Sequence, residues 1–167
     1  TTLPEEEVYR NLSWKLKRLE FSNMFSYGEN NVVDFTKLNG IVGMFAPNAT
    51  GKSSLLDALS FALYDTCSRA YKAENVLNNS KKDFCCKVLF EIDGQDYVVE
   101  RFAKIQRRGN VKVNVDFYTF DDTGEKVSMN GDQRRTTNVN IRKVIGTYED
   151  FILTALSSQN NNSVFIE

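Results

Sequence analysis

The sequence predicts an α/β fold of the P-loop NTPase type, with an antiparallel β meander and flanking helices. Three observations predict it. An apolar run, Gly40 to Phe45, leads into Ala46-Pro47-Asn48-Ala49-Thr50-Gly51-Lys52-Ser53, and a helical stripe of Leu55, Leu56, Leu59, Ala62 and Leu63 follows. Asp93-Gly94 separates two strand-like runs, a strong hairpin signal. Two further stripes of helical period come after the meander.

The first observation carries the chemistry. A helix N-terminus presents unpaired N–H groups and the positive end of the helix dipole, which suits a polyphosphate. The loop must bring its own N–H groups close to the phosphates, and Ala49 and Gly51 leave room for that approach. Ala49, Gly51, Lys52 and Ser53, with Thr50 and Ser54 beside them, are therefore the expected phosphate-binding residues. Lys52 is the charge that reaches the β and γ phosphates, and the Ser53 hydroxyl is an expected Mg²⁺ ligand. The pattern's usual first glycine is replaced by Ala46, a methyl group the turn accommodates at negative φ.

Composition bounds the rest. At 167 residues, 41% hydrophobic and 12% aromatic, the chain has material for one good core. A net charge of −1 supplies no global field toward nucleic acid, so any such surface is local. Three cysteines without metal-type spacing, and no apolar run of membrane-spanning length, predict a soluble protein of a reducing, cytoplasmic compartment. The absence of histidine removes the commonest general base. A start at Thr1 and a stop just after Val164-Phe165-Ile166 predict a segment of something longer.

In chain order, residues 1–13 read as a polar N-terminal arm and residues 14–167 as the folded part. Trp14 to Phe21 alternates as a first strand with a bulge near Lys17-Arg18, and Val32, Val33 and Phe35 start a second. After the Lys52 helix, a helical turn is expected around Glu74 to Asn78. Phe84–Ile92 and Tyr97–Phe102 form the hairpin, Val111–Phe117 a third strand with one wet face, and Lys126–Met129 a short fourth. A helix is expected from about Thr137 to Ile145, stopped by Gly146. The next begins at Thr147 with Asp150 as a capping-box analogue, burying Phe151, Ile152, Ala155 and Leu156.

No apolar parallel strand ending in an acid follows Lys52. Val88 to Asp93 runs straight into the hairpin, and Val111 to Asp116 alternates as a half-exposed strand does. The chain thus holds half a nucleotide site. In this order of features, and in three segments, the chain resembles the N-terminal segment of an SMC-like ABC ATPase head of the SbcC/Rad-fifty type, including phage versions. Those segments are Phe21-Ser22-Asn23-Met24-Phe25-Ser26, Ala46 through Tyr64, and Phe151 through Gln159. Proteins of this family are the ATPase subunits of double-strand-break repair nucleases.

The resemblance implies the remaining roles. Gln159 matches the family's glutamine loop and joins Ser53 as a Mg²⁺ ligand, and Lys52 becomes the catalytic charge. Asn48 sits at the loop tip near the γ-phosphate, while Ser22 and Asn23 match a segment near the nucleotide without an assigned contact. The coiled coil, the signature motif and the acidic catalytic residues are absent, so this segment alone is expected to be inactive in hydrolysis. The implied partners are its own C-terminal head segment, a second head joined through ATP, an SbcD-type nuclease subunit, and DNA. For DNA, Arg101, Lys104, Arg107, Arg108 and Lys112 cluster on one hairpin, and Arg134, Arg135, Arg142 and Lys143 on the later helix. A RecF- or SMC-type head acting in DNA loading or chromosome organisation is the alternative, and a self-contained small P-loop kinase a weaker one.

Overall fold

The computed structural model describes residues 14–36, 52–66 and 73–151. The polar arm, the Gly40–Phe45 strand, loop residues 46–51 and the segment with Gln159 lie outside the described residues.

Among the described residues, six antiparallel strands make one sheet: β1 (Trp14–Ser22), β2 (Asn31–Asp34), β3 (Asp83–Ile92), β4 (Gln95–Ile105), β5 (Val111–Phe120) and β6 (Lys126–Ser128). Their spatial order is β2-β1-β3-β4-β5-β6, so β3 to β6 form a true meander and β1 joins it across the intervening segment. The helices are α1 (Lys52–Tyr64), the single turn α2 (Ala73–Val76) and α3 (Arg134–Ile145). α1 packs on β3, β4 and α3.

Local chemistry explains the strand ends. Asp93 and Gly94 have φ of 49° and 85°, the positive pair a two-residue hairpin turn needs, and they join Ile92 to its partner Gln95. In β1 the register slips between Leu16 and Arg18, leaving Lys17 as an extra residue. That bulge reconciles two alternations one residue out of phase, so Leu16, Leu19 and Phe21 all reach the same buried face. The displaced Lys17 carbonyl accepts a hydrogen bond from Phe35 N at 3.0 Å, and its ammonium lies 2.8 Å from Asp96.

The buried face of the sheet carries Phe84, Cys86, Val88 and Phe90 from β3, Val99 and Ala103 from β4, and Val113 and Phe117 from β5. Phe90, Tyr97 and Phe117 stack across three strands with centroids 5.5 and 6.2 Å apart. Against this face lies α1, buried on every side from Asp57 to Tyr64 and not along a single stripe. Phe61 meets Phe84 edge to face at 5.5 Å. Each such ring, taken fully out of water, contributes about 1.5–3 kcal/mol.

The helix expected from Thr137 begins one turn earlier, at Arg134. There Gln133 N donates to Thr136 Oγ1 at 2.9 Å, the reach-back half of a capping box, built here on threonine. α3 buries Thr137 and Ile141 and ends at Gly146, with φ 84° and ψ −167°, a conformation reserved for glycine. Thr147 then starts the next helix, its Oγ1 accepting from Asp150 N at 3.2 Å as the capping box requires.

Candidate functional site

The described part of the expected phosphate site is the helix that starts it. α1 begins at Lys52, where the motif requires a helix N-terminus, and it runs for 13 residues. Its first four N–H groups have no partner within the helix. No acidic residue stands in that first turn, so nothing in α1 neutralises the positive end of the dipole. A polyphosphate fits such an end; a carboxylate there would have opposed it.

The other end of α1 carries an unforeseen arrangement. Its last turn has no basic residue of its own. The cation comes from the sheet: Arg101 of β4 is fully buried, and its Nε donates to Ala62 O at 2.7 Å. The sequence groups Arg101 with the DNA-contacting cations, and its burial excludes that role. It occupies the same face of β4 as Val99 and Ala103, facing Cys86 across the pair with β3. The signal for this was the two-residue period of β4 itself, which places position 101 inward.

Asp65, just past the end of α1 at φ 64°, gathers the charges around this point. Its N–H donates back to Phe61 O at 2.8 Å and closes the helix. Its carboxylate takes two hydrogen bonds from the Arg134 guanidinium, one of 2.7 Å from Nε, and one of 2.9 Å from Asn138 Nδ2. Arg101 Nη1 lies 3.9 Å away. Burial pushes the Arg101 guanidinium below its ordinary pKa, and Asp65 opposes that shift. Arg134, one of the later-helix cations, is thereby committed to α1 and not free for a ligand.

Tyr64 fastens α1 to the elements that follow α3. Its hydroxyl lies 3.2 Å from Gly146 O and 3.0 Å from Thr147 O, and its ring meets Tyr148 and Phe151 edge to face at 5.3 and 5.8 Å. Burial, then the charges of Asp150 and Glu149, pushes its phenol far up, so it stays a donor. The helix starting at Lys52 and the chain leading toward Gln159 are thus clamped together eight residues before that glutamine. No sequence pattern announced this contact.

Other candidates are spent or displaced. Ser22 Oγ accepts from Asn30 N at 2.9 Å, and buried Asn23 donates to Asp83 at 3.3 Å, so this segment holds the β1–β2 turn in place. Glu91, in the strand considered for a magnesium-holding acid, pairs with Lys17 at 3.4 Å in an antiparallel setting. Lys104, Arg107, Arg108 and Lys112 are all exposed around the β4–β5 turn. Among the described residues there is no cluster of three metal-ligating side chains and no helix long and apolar enough to cross a membrane.

Comparison with known proteins agrees with this architecture. A family model described as an AAA domain matches residues 18–166. An uncharacterized protein of Acanthamoeba polyphaga mimivirus is 40% identical over 161 residues, covering 92% of this chain and 12% of that protein. The SbcC component of the SbcCD nuclease of Clostridium acetobutylicum is 27% identical over 157 residues, covering 90% and 13%. The DNA double-strand break repair Rad50 ATPase of Methanococcus maripaludis is 29% identical over 100 residues, covering 60% and 10%. The chain therefore spans only about an eighth of the length of the first two relatives and a tenth of the third.

Proposed function

Because this chain belongs to the AAA domain family, with SbcC- and Rad50-type ATPases among its relatives, we propose that it is the ATP-binding half of an SMC-like ATPase head acting in DNA repair. The observation that carries the reading is α1: a buried helix that begins at the lysine of the loop, has no acid in its first turn, and has its C-terminal charge compensated by Arg101.

In this reading Asn48 through Ser54 wrap the phosphates, and Lys52 neutralises charge that builds on the γ-phosphate. Ser53 and Gln159 would hold Mg²⁺, which would supply positive charge against the phosphates. The Tyr64 clamp ties the helix that starts at Lys52 to Gly146, Thr147, Tyr148 and Phe151, and so would let Ser53 and Gln159 serve the same phosphate. The acid that activates water comes from the protein's own C-terminal head segment. Two such heads close on two nucleotides, and ATP favours the closed pair by binding it better than the open one. Closure and release then regulate an SbcD-type nuclease subunit on DNA ends.

The test is Mg-ATP titration of the 167-residue chain beside Lys52→Ala, read by fluorescent-nucleotide binding. Binding at least tenfold weaker in the variant, a difference of about 1.4 kcal/mol, supports the reading. Equal binding by both proteins refutes it. Ala46→Gly serves as the control for the loop's missing first glycine.

A further inference from the structure

The solvent face of the sheet ends, beside the β4–β5 turn, in an arrangement that the fold itself does not need. Lys104 and Lys112 are register partners, so two exposed ammonium groups stand directly opposite each other on one face. Like charges so placed destabilise a strand pair. Neither has a carboxylate within ion-pair distance among the described residues, and the same holds for Lys82, Arg107 and Arg108 around them. Lys82 is fixed at this end because its carbonyl accepts from Ile105 N at 2.9 Å. The turn bearing Arg107 and Arg108 is closed by Gln106 N to Asn110 O at 2.7 Å.

Two residues before Lys104, on the same face, stands Phe102. The residue is 51% exposed in the middle of a ladder that pairs it with Cys85 on one side and Asn114 on the other. Water is a poor neighbour for that ring, and its cross-strand partners are too small to cover it. A flat, open aromatic surface beside a row of unpaired cations matches one ligand chemistry: a base to stack on the ring and the adjoining phosphates to take the charges. A second copy of this chain would set the same cations against each other, which disfavours self-association here.

We infer that Phe102, with Lys104 and Lys112, forms a stacking platform for a single-stranded segment of nucleic acid, of the kind that a frayed or resected end supplies. This rests on the DNA-facing part of the function proposed above. It does not depend on the nucleotide site, so it is tested without ATP.

The experiment is fluorescence anisotropy of the 167-residue chain with a labelled single-stranded oligothymidylate, the same length of oligouridylate, and a duplex. Phe102→Leu keeps an apolar strand residue but removes the π face. It should weaken single-strand binding about tenfold or more and leave duplex binding unchanged, while Phe102→Tyr retains affinity. Lys104→Gln with Lys112→Gln should weaken single strand and duplex alike, and should lower the salt slope on the single strand by about 1.4. The oligouridylate arm identifies the sugar: Phe102-dependent binding of either strand supports the platform. Single-strand affinity that Phe102→Leu leaves unchanged, or binding of the duplex as tightly as the single strand, overturns it. All three residues are exposed, so circular dichroism should show the same fold in each variant, with melting unchanged for the Phe102 variants and slightly raised where the opposed lysines are neutralised.

Discussion

Replacing Asp65 by asparagine should damage the protein far more than replacing the fully buried Arg101 by methionine. The two groups look like halves of one ion pair, yet their surroundings differ. Asp65 has a side chain 13% exposed and serves Arg134, Asn138 and, at 3.9 Å, Arg101. Removing its charge leaves the Arg101 guanidinium buried without a counter-ion, the situation that costs about 3–5 kcal/mol. Asparagine tolerates the positive φ and keeps one acceptor, so the low end, about 3 kcal/mol, applies. For a chain of this length that lowers the melting temperature by about 6–12 °C.

Arg101→Met behaves differently. It forfeits the hydrogen bond to Ala62 O, about 1.5–3 kcal/mol for a charged donor. It also removes two buried groups, Nη1 and Nη2, that find no hydrogen-bond partner among the described residues, each a cost of about 1–3 kcal/mol. The effects nearly cancel, and Asp65 stays paired with Arg134. The assay is urea and thermal unfolding followed by circular dichroism, as a double-mutant cycle. Asp65→Asn should cost much less in the Arg101→Met background than alone. An equal cost in both backgrounds would refute the coupling.

Two further outcomes follow from the same packing. Tyr64→Phe keeps the ring contacts with Tyr148 and Phe151 but leaves the Gly146 and Thr147 carbonyls without the phenol; stability should fall by about 0.5–1.5 kcal/mol, and the Mg²⁺ dependence of ATP binding should weaken with it, whereas an unchanged Mg²⁺ dependence would break the proposed link to Gln159. Stability should also decline in alkali, because burial pushes the Cys86 thiol from 9.0 up to about 12 while the Arg101 charge only partly offsets it. Between those values the folded chain holds a proton that the unfolded chain has lost, so stability is complete below pH 9 and falls as pH rises through the window, by up to about 1.4 kcal/mol per pH unit. Urea midpoints at about pH 8 to 11 should show that decline, and a shallower one in Cys86→Ala; a flat profile for the natural chain would show the thiol to be solvated.

What the sequence determined by itself is what a few neighbouring residues decide. Asp93-Gly94 imposes a two-residue turn because an Asp-Gly pair takes two positive φ values cheaply. The out-of-phase Trp14/Leu16 and Leu19/Phe21 alternations require the bulge at Lys17, and Gly146 ends α3 where a side chain would clash with its own backbone. The start of a helix at Lys52 was equally legible, since the residues that open a helix and the apolar stripe that continues it are local by nature. The strand order, the burial of α1 on every side from Asp57 to Tyr64, and the fate of the charges were not. Arg101 and Ala62 are 39 residues apart, Arg134 and Asp65 69, and Tyr64 and Gly146 82. By composition Arg101 belongs with Lys104 and Arg107; only the sheet, by turning position 101 toward the carbonyl end of α1, makes it a helix cap instead of a ligand contact. The same alternation turns Phe102 and Lys104 outward, so tertiary structure alone separates the cation that caps α1 from those left exposed.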